Sequence, residues 1–275
     1  MTDNIAKVAL PAATVVLVRD APDGYEVLLL QRNHQSAFVP GQYLFPGGGL
    51  DPDDAHPELC ALCHGMDDAA ASRRIGIPEG GLAYWTAAIR ESFEEAGVIL
   101  AYNDRDELVT LAEPELFQRY ATLRSRMDAG EITFTQILKD EGLRLATDRL
   151  VYFANWITPA GAVRRYDTKF FIAHAPEGQE VLPDNRELIH HLWLRPSEAL
   201  AQFKRGEIKM RRPTAHTLKA ISKFESADML VNAMAVLPEV PAILPRVAPD
   251  GRRVLPGEPG YEELGEPGKE GVWRP

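Results

Sequence analysis

Residues 89–98 read Ile89-Arg90-Glu91-Ser92-Phe93-Glu94-Glu95-Ala96-Gly97-Val98, which places three carboxylates and an arginine in one short run that stops at glycine. On a helix, side chains three and four apart share a face, so Glu91, Glu94 and Glu95 converge while Ile89 and Phe93 turn elsewhere. The preceding residues, Ala83-Tyr84-Trp85-Thr86-Ala87-Ala88, are largely apolar. The pattern predicts a helix over 82–96, with Gly97 ending it in the left-handed conformation. Taken alone, three like charges in so short a run suit a solvated face. Beside a helix face that is buried, clustered carboxylates call instead for a cation, and hard oxygen ligands select Mg2+ or Mn2+.

Working outward, β-branched and aliphatic residues predict strands over 13–18 and 25–31, with a hairpin turn at Pro22-Asp23-Gly24. A loop over 33–50 ends in Phe45-Pro46-Gly47-Gly48-Gly49. Residues 51–81 are acidic and alanine-rich, and read as an insertion with short helices. A second insertion covers 101–148, and residues 113–148 within it read as helical, with Leu116, Tyr120, Leu123 and Met127 at helical spacing. Strands return over 151–158 and 166–173, a hairpin across the loop at 159–162, and over 191–194. Helices are expected to start near Pro196 and Pro213, since proline is preset for the first helical turn. The domain is read as 8–237. A tail over 238–275 carries eight prolines and six glycines, a density that excludes long helices and leaves it draped over the surface or mobile.

The chain has 275 residues, 45% of them hydrophobic, enough for one large domain with a real core. Its formal net charge is −10, from 40 acidic and 30 basic residues, and the basic residues are scattered. That balance argues against a nucleic-acid partner or an anionic membrane surface. No apolar run reaches the ~20 residues that span a bilayer, and the first residues lack a signal-peptide pattern, so a cytoplasmic protein is expected. Cys60 and Cys63 lie in a C-x-x-C-H pattern used for covalent haem attachment, and His56 and His64 stand nearby as zinc ligands would. Two reduced thiols are the favoured reading.

Phe45-Pro46-Gly47-Gly48, followed by Arg90-Glu91-Ser92-Phe93-Glu94-Glu95-Ala96-Gly97-Val98, resembles the box of Nudix hydrolases, G-x5-E-x7-R-E-U-x-E-E-x-G-U with U aliphatic. The resemblance implies a Nudix-type α/β/α sandwich, here with helical insertions, that hydrolyses a nucleoside diphosphate linked to another group. By the same resemblance Glu91, Glu94 and Glu95 bind the metal, Arg90 orients them, and Gly47 and Gly48 let the backbone approach phosphate. Two departures stand out: the box is split between Gly48 and the helix, and eight positions before Arg90 stands Leu82 where the pattern has glutamate. Glu79 is out of register. Either another carboxylate replaces the missing one or the cluster has one acid fewer.

Leu28 to Gly48 is similar to the signature of coenzyme A diphosphatases, L-L-T-x-R-(S/A)-x3-R-x3-G-x3-F-P-G-G, keeping Arg32, Gly41 and Phe45 but carrying Leu30, Asn33 and Ala37 where the signature differs. The split box, with the runs at 155–173 and 210–218, resembles the peroxisomal-type branch of those enzymes. The last residues, Val272-Trp273-Arg274-Pro275, are not the Ser-Lys-Leu import signal. The branch implies coenzyme A or acyl-coenzyme A as substrate, with Arg32, Lys209, Arg211 and Arg212 as candidates for its extra phosphate. Glu187, just before the last strand, is the candidate general base, with Glu177 and Glu180 competing. ADP-ribose, NADH and nucleotide sugars are the rival substrates, and a Nudix-fold nucleotide sensor without turnover is the rival class. The expected partner is the small-molecule substrate, with a homodimer left open.

Overall fold

Strand β1 (Leu10–Ala21) decides the architecture because both of its faces are apolar. In the computed structural model, which describes residues 8–35, 40–159, 162, 164–184 and 187–264, Ala13, Val15 and Leu17 enter one core while Val16 and Val18 enter another on the opposite face. Strand β2 (Gly24–Arg32) repeats this alternation, with Leu28 and Leu30 on one side and Val27 and Leu29 on the other. A sheet whose two faces both need covering forces helices onto each, and an α/β/α sandwich results.

Short strands β3 (Tyr43–Leu44) and β4 (Gly47–Gly49) come from the glycine loop, and β5 (Ala101–Tyr102) pairs with β6 (Arg144–Leu145) away from the main sheet. Strands β7 (Val151–Ile157), β8 (Tyr166–His174), β9 (Leu188–Leu194) and β10 (Ala242–Ile243) complete that sheet, whose main path runs β10-β7-β8-β1-β2-β3. Strand β4 adds to β1 and β9 to β2. The β1–β8 and β10–β7 pairs are parallel, and the β1–β2 and β7–β8 pairs antiparallel.

The first insertion forms a single turn at Pro52–Ala55, then α1 (Pro57–Cys60) and α2 (Asp68–Ile75). Cys60 and Cys63 are free thiols, and burial raises Cys63 to about 12. Helix α3 (Leu82–Ala96) has the bounds its periodicity predicts, and Gly97 closes it at φ 70°. It packs on β1 and β4, burying Trp85 and Phe93 to 1% exposure; each such aromatic side chain contributes ~1.5–3 kcal/mol. In the second insertion α4 (Pro114–Asp128) and α5 (Phe134–Asp140) bring Tyr120 and Phe134 within 6.4 and 6.0 Å of the Phe93 ring. The helical reading of 113–148 therefore holds only in part: the helix stops at Asp128 before Gly130, resumes over Phe134–Asp140, and gives way to β6 after Gly142.

The other face is covered by α6 (Pro196–Arg205), α7 (Arg212–Ile221) and α8 (Ala227–Ala235). Residues 238–264 lie along this side of the molecule: Ile243 and Leu255 are buried in its core, and β11 (Arg246–Val247) pairs with β12 (Arg253–Val254). Ala37 lies outside the described residues. Among those described, no helix is long and apolar enough to cross a membrane.

Candidate active site

The predicted acidic cluster forms where α3 faces the glycine strand. Arg90 is its organiser: the residue is 8% exposed and all five of its guanidinium N–H donors are used. Nε and Nη2 donate to the two oxygens of Asp54, both at 2.9 Å. Nη1 donates to Glu91 at 3.0 Å and to Glu94 at 2.7 Å, and Nη2 also reaches the Gly49 carbonyl at 3.0 Å. One buried fork thus ties the helix, the glycine strand and the first insertion together.

Asp54 is the acid that the Leu82 departure left open. Counting back from Arg90 lands on Leu82, because the insertion lies between. Counting forward from Gly48, G-x5 ends on Asp54, so the signal was present in the sequence. The side chain is fully buried and accepts from the Asp51 N–H at 2.7 Å, while its carbonyl accepts from the Thr86 hydroxyl at 2.8 Å. A buried arginine requires such a partner, since an uncompensated charge there is costly. Aspartate stands there in place of the box's glutamate, and the insertion follows it.

Strand β4 is held in register against β1, with Gly47 opposite Thr14 and Gly48 opposite Ala13. Gly48 makes room for a helix carboxylate and Gly47 for the β1 backbone. A Cβ on Gly48 would stand 2.5 Å from Glu91 Oε1, and one on Gly47 would stand 2.4 Å from the Ala13 carbonyl oxygen. Glu95 accepts a hydrogen bond from the Gly47 N–H at 2.8 Å, so that donor serves the cluster.

Glu91, Glu94 and Glu95 line a cavity of about 580 Å3 together with Gly47, Gly48, Gly49, Arg32 and Glu187. Asp128, at the end of α4, and Asp184, ahead of β9, line it too. Neither carries a motif that singled it out. Glu187 bonds Arg32 Nη2 at 2.7 Å and is 65% exposed at its side chain. Glu177 and Glu180 do not line this cavity, and neither do His190 and His191; His190 Nδ1 instead lies 3.3 Å from the Tyr43 hydroxyl.

Burial raises the carboxyls of Glu91, Glu94 and Glu95, and at Glu95 the neighbouring Glu91 charge adds to the effect. Such a set binds a cation readily because the cation removes the repulsion and replaces lost hydration. The donor chemistry fits a hard divalent ion, being carboxylate oxygen throughout. Each glutamate also keeps one oxygen that no hydrogen bond among the described residues occupies. Among the described residues no three His, Cys, Asp or Glu side chains already converge on one point, as expected where Arg90 draws Glu91 and Glu94 to itself and Gly47 holds Glu95.

Comparison with known proteins agrees with this geometry. The family model of the NUDT19 Nudix domain matches residues 67–221. Acyl-coenzyme A diphosphatase NUDT19 from Xenopus laevis is 29% identical over 237 residues, covering 75% of this chain and 62% of that protein. The Homo sapiens protein of the same name is also 29% identical, over 76% of this chain and 63% of its own length. The chain therefore aligns with less than two thirds of either relative. Among solved structures, a NUDIX hydrolase from Alicyclobacillus acidocaldarius superposes with a TM-score of 0.68 at 25% identity, covering 84% of this chain and 99% of that one.

Proposed function

We propose, since this chain belongs to the NUDT19 Nudix domain family, that it hydrolyses the diphosphate linkage of coenzyme A or acyl-coenzyme A with Mg2+ or Mn2+ held by Glu91, Glu94 and Glu95. The observation that carries this reading is the Arg90 fork, which holds Asp54, Glu91, Glu94 and the glycine strand around a single cavity. The similarity to proteins named acyl-coenzyme A diphosphatase supports the substrate class. With Asp54 paired to Arg90, Leu82 no longer favours a nucleotide sensor without turnover.

A divalent cation, when bound, supplies charge neutralisation for the diphosphate and acidifies water. The chain's own residues do the positioning. Arg90 fixes the helix glutamates, so their carboxylates need little rearrangement as charge develops. Arg32, at the cavity wall, has the planar fork that suits phosphate oxygens, and its partner Glu187 is the group we assign to accept the proton of the attacking water. Water attacks phosphorus, the anhydride P–O bond breaks, and the two products are adenosine 3′,5′-bisphosphate and a phosphopantetheine, free or acylated.

Replacing Glu94 tests the assignment. Glu94→Gln keeps the side-chain shape and removes a ligand charge, so turnover should fall by at least ~10²–10³-fold with folding intact. Near-normal diphosphate hydrolysis by this variant would contradict the reading.

A further inference from the structure

Beside the acidic cavity lies a second one of about 790 Å3, and the two share Thr14, Arg32, Gly47, Arg164, Tyr166 and Thr168. Its charge is the reverse. Among the described residues five arginines line it, Arg32, Arg164, Arg211, Arg212 and Arg253, the first two shared with the acidic cavity, and no aspartate or glutamate does, in a chain whose net charge is −10. Much of the remaining wall is apolar and aromatic, including Phe45, Trp156 and Phe170. The volume falls within the ~300–1,000 Å3 typical of small-molecule sites.

Two further observations point to an anionic, aromatic ligand. The first is the start of α7, where Arg211, Arg212, Pro213 and Thr214 all line the cavity and no side chain caps the helix. A helix N-terminus presents unpaired N–H groups and the positive end of its dipole. The second is a set of orphaned polar atoms. Six buried side-chain polar atoms among the described residues lack a hydrogen-bond partner, and three of them, Arg32 Nε, Gln42 Oε1 and Trp156 Nε1, belong to residues on this wall. Trp156 is only 4% exposed, so its unpaired indole N–H carries a desolvation cost. Burial, and then the charge of the nearby Arg253, hold Arg211 below its ordinary pKa, which places two guanidinium charges close together on this wall.

We propose that this second cavity takes the nucleoside half of the substrate, with a ribose-bound phosphomonoester seated at Arg211, Arg253 and the N-terminus of α7. The assignment rests on the diphosphatase reading above and specifies how that substrate is oriented. A fatty acyl chain in this cavity would desolvate arginines and unpaired polar groups without offering them partners. A purine nucleoside offers a face to stack on aromatic side chains, edges for Gln42 and Trp156, and a phosphate for the arginine forks. Arg253 comes from the β11–β12 hairpin, which makes the C-terminal segment part of the specificity site. Its backbone carbonyl accepts from Arg212, a contact that a side-chain substitution at 253 leaves in place.

Calorimetry on the full chain tests this with adenosine 3′,5′-bisphosphate and AMP as probes, for the wild type, Arg211→Gln and Arg253→Gln. The wild type should bind the bisphosphate at least about tenfold more tightly than AMP, as expected for charge-assisted hydrogen bonds to the extra phosphate. Each substitution should bring the two ligands to within about threefold. Equal affinity in the wild type, no binding of the bisphosphate, or a preference that survives both substitutions would overturn the proposal. Coenzyme A hydrolysis, measured alongside, separates the two readings. An arginine-dependent preference without hydrolysis leaves the subsite standing and removes the diphosphatase reading. Hydrolysis without the preference removes the subsite alone.

Discussion

Asp54 shows how much one buried carboxylate can decide. It forms a two-point pair with Arg90 at 0% exposure and fixes the residue from which the glutamates are oriented. Asp54→Ala leaves two guanidinium donors buried without partners, and the expected cost is about 3–5 kcal/mol of stability, measured by urea unfolding. A loss below ~1 kcal/mol would mean that water or a neighbour replaces the carboxylate. Arg90 and the three glutamates were legible in the sequence because their spacing lies within one uninterrupted helix. Asp54 was obscured because its partner is 36 positions away, across an insertion whose length hides the register. Asp128 and Asp184 were not legible, since only the tertiary fold brings the end of α4 and the β9 approach to the same cavity.

At the scale of elements, α3 was read to the residue because an apolar face and a terminal glycine coincide with its ends. Its start depends on a partner in another element. Gly81 provides no side-chain cap, and Asp68 of α2 supplies one by accepting from the Leu82 N–H and the Gly80 N–H, both at 2.9 Å. The Leu82 hydrogen bond is the chief reason that the Asp68 carboxyl is held below its ordinary pKa. A depressed folded pKa contributes stability that is fully present above the unfolded value and is lost as pH falls through the folded one. Asp68→Ala should therefore cost about 1 kcal/mol at neutral pH, and the gap from the wild type should close as pH drops below ~4. A gap that stays constant to pH 2 would show that the charge is not what holds the helix start. Strands β3 and β4 were read as loop because β3 is only two residues long and β4 is all glycine, which has little strand propensity; their pairing is imposed by β2 and β1. Helix α8, not expected from the sequence, is capped by Ser226, whose hydroxyl oxygen accepts from the Met229 N–H, and it completes the second core through Leu230 and Met234.

For the whole molecule, the sandwich was legible through the resemblance of residues 45–48 and 90–98 to the Nudix box, while the course of the tail depends on contacts that no local pattern encodes. Ala242 and Ile243 pair with Asn155 and Trp156, Ile243 is 2% exposed, and the Tyr261 hydroxyl donates to the Leu244 carbonyl. Ending the chain at residue 237 uncovers that core, and should destabilise the fold by at least ~3 kcal/mol given what one or two buried aliphatic side chains contribute. An unchanged thermal midpoint would show that the segment is only an appendage. The fold sets an acidic chamber against an arginine-lined one, a division that suits a metal-assisted cut at a diphosphate and recognition of what is attached to it. The most direct test is product analysis of the full chain incubated with coenzyme A, an acyl-coenzyme A, ADP-ribose and NADH, in Mg2+, in Mn2+ and in excess chelator. The expected result is metal-dependent release of adenosine 3′,5′-bisphosphate and a phosphopantetheine from the coenzyme A substrates in preference to the others. Failure to cleave either coenzyme A substrate in the presence of metal would contradict it.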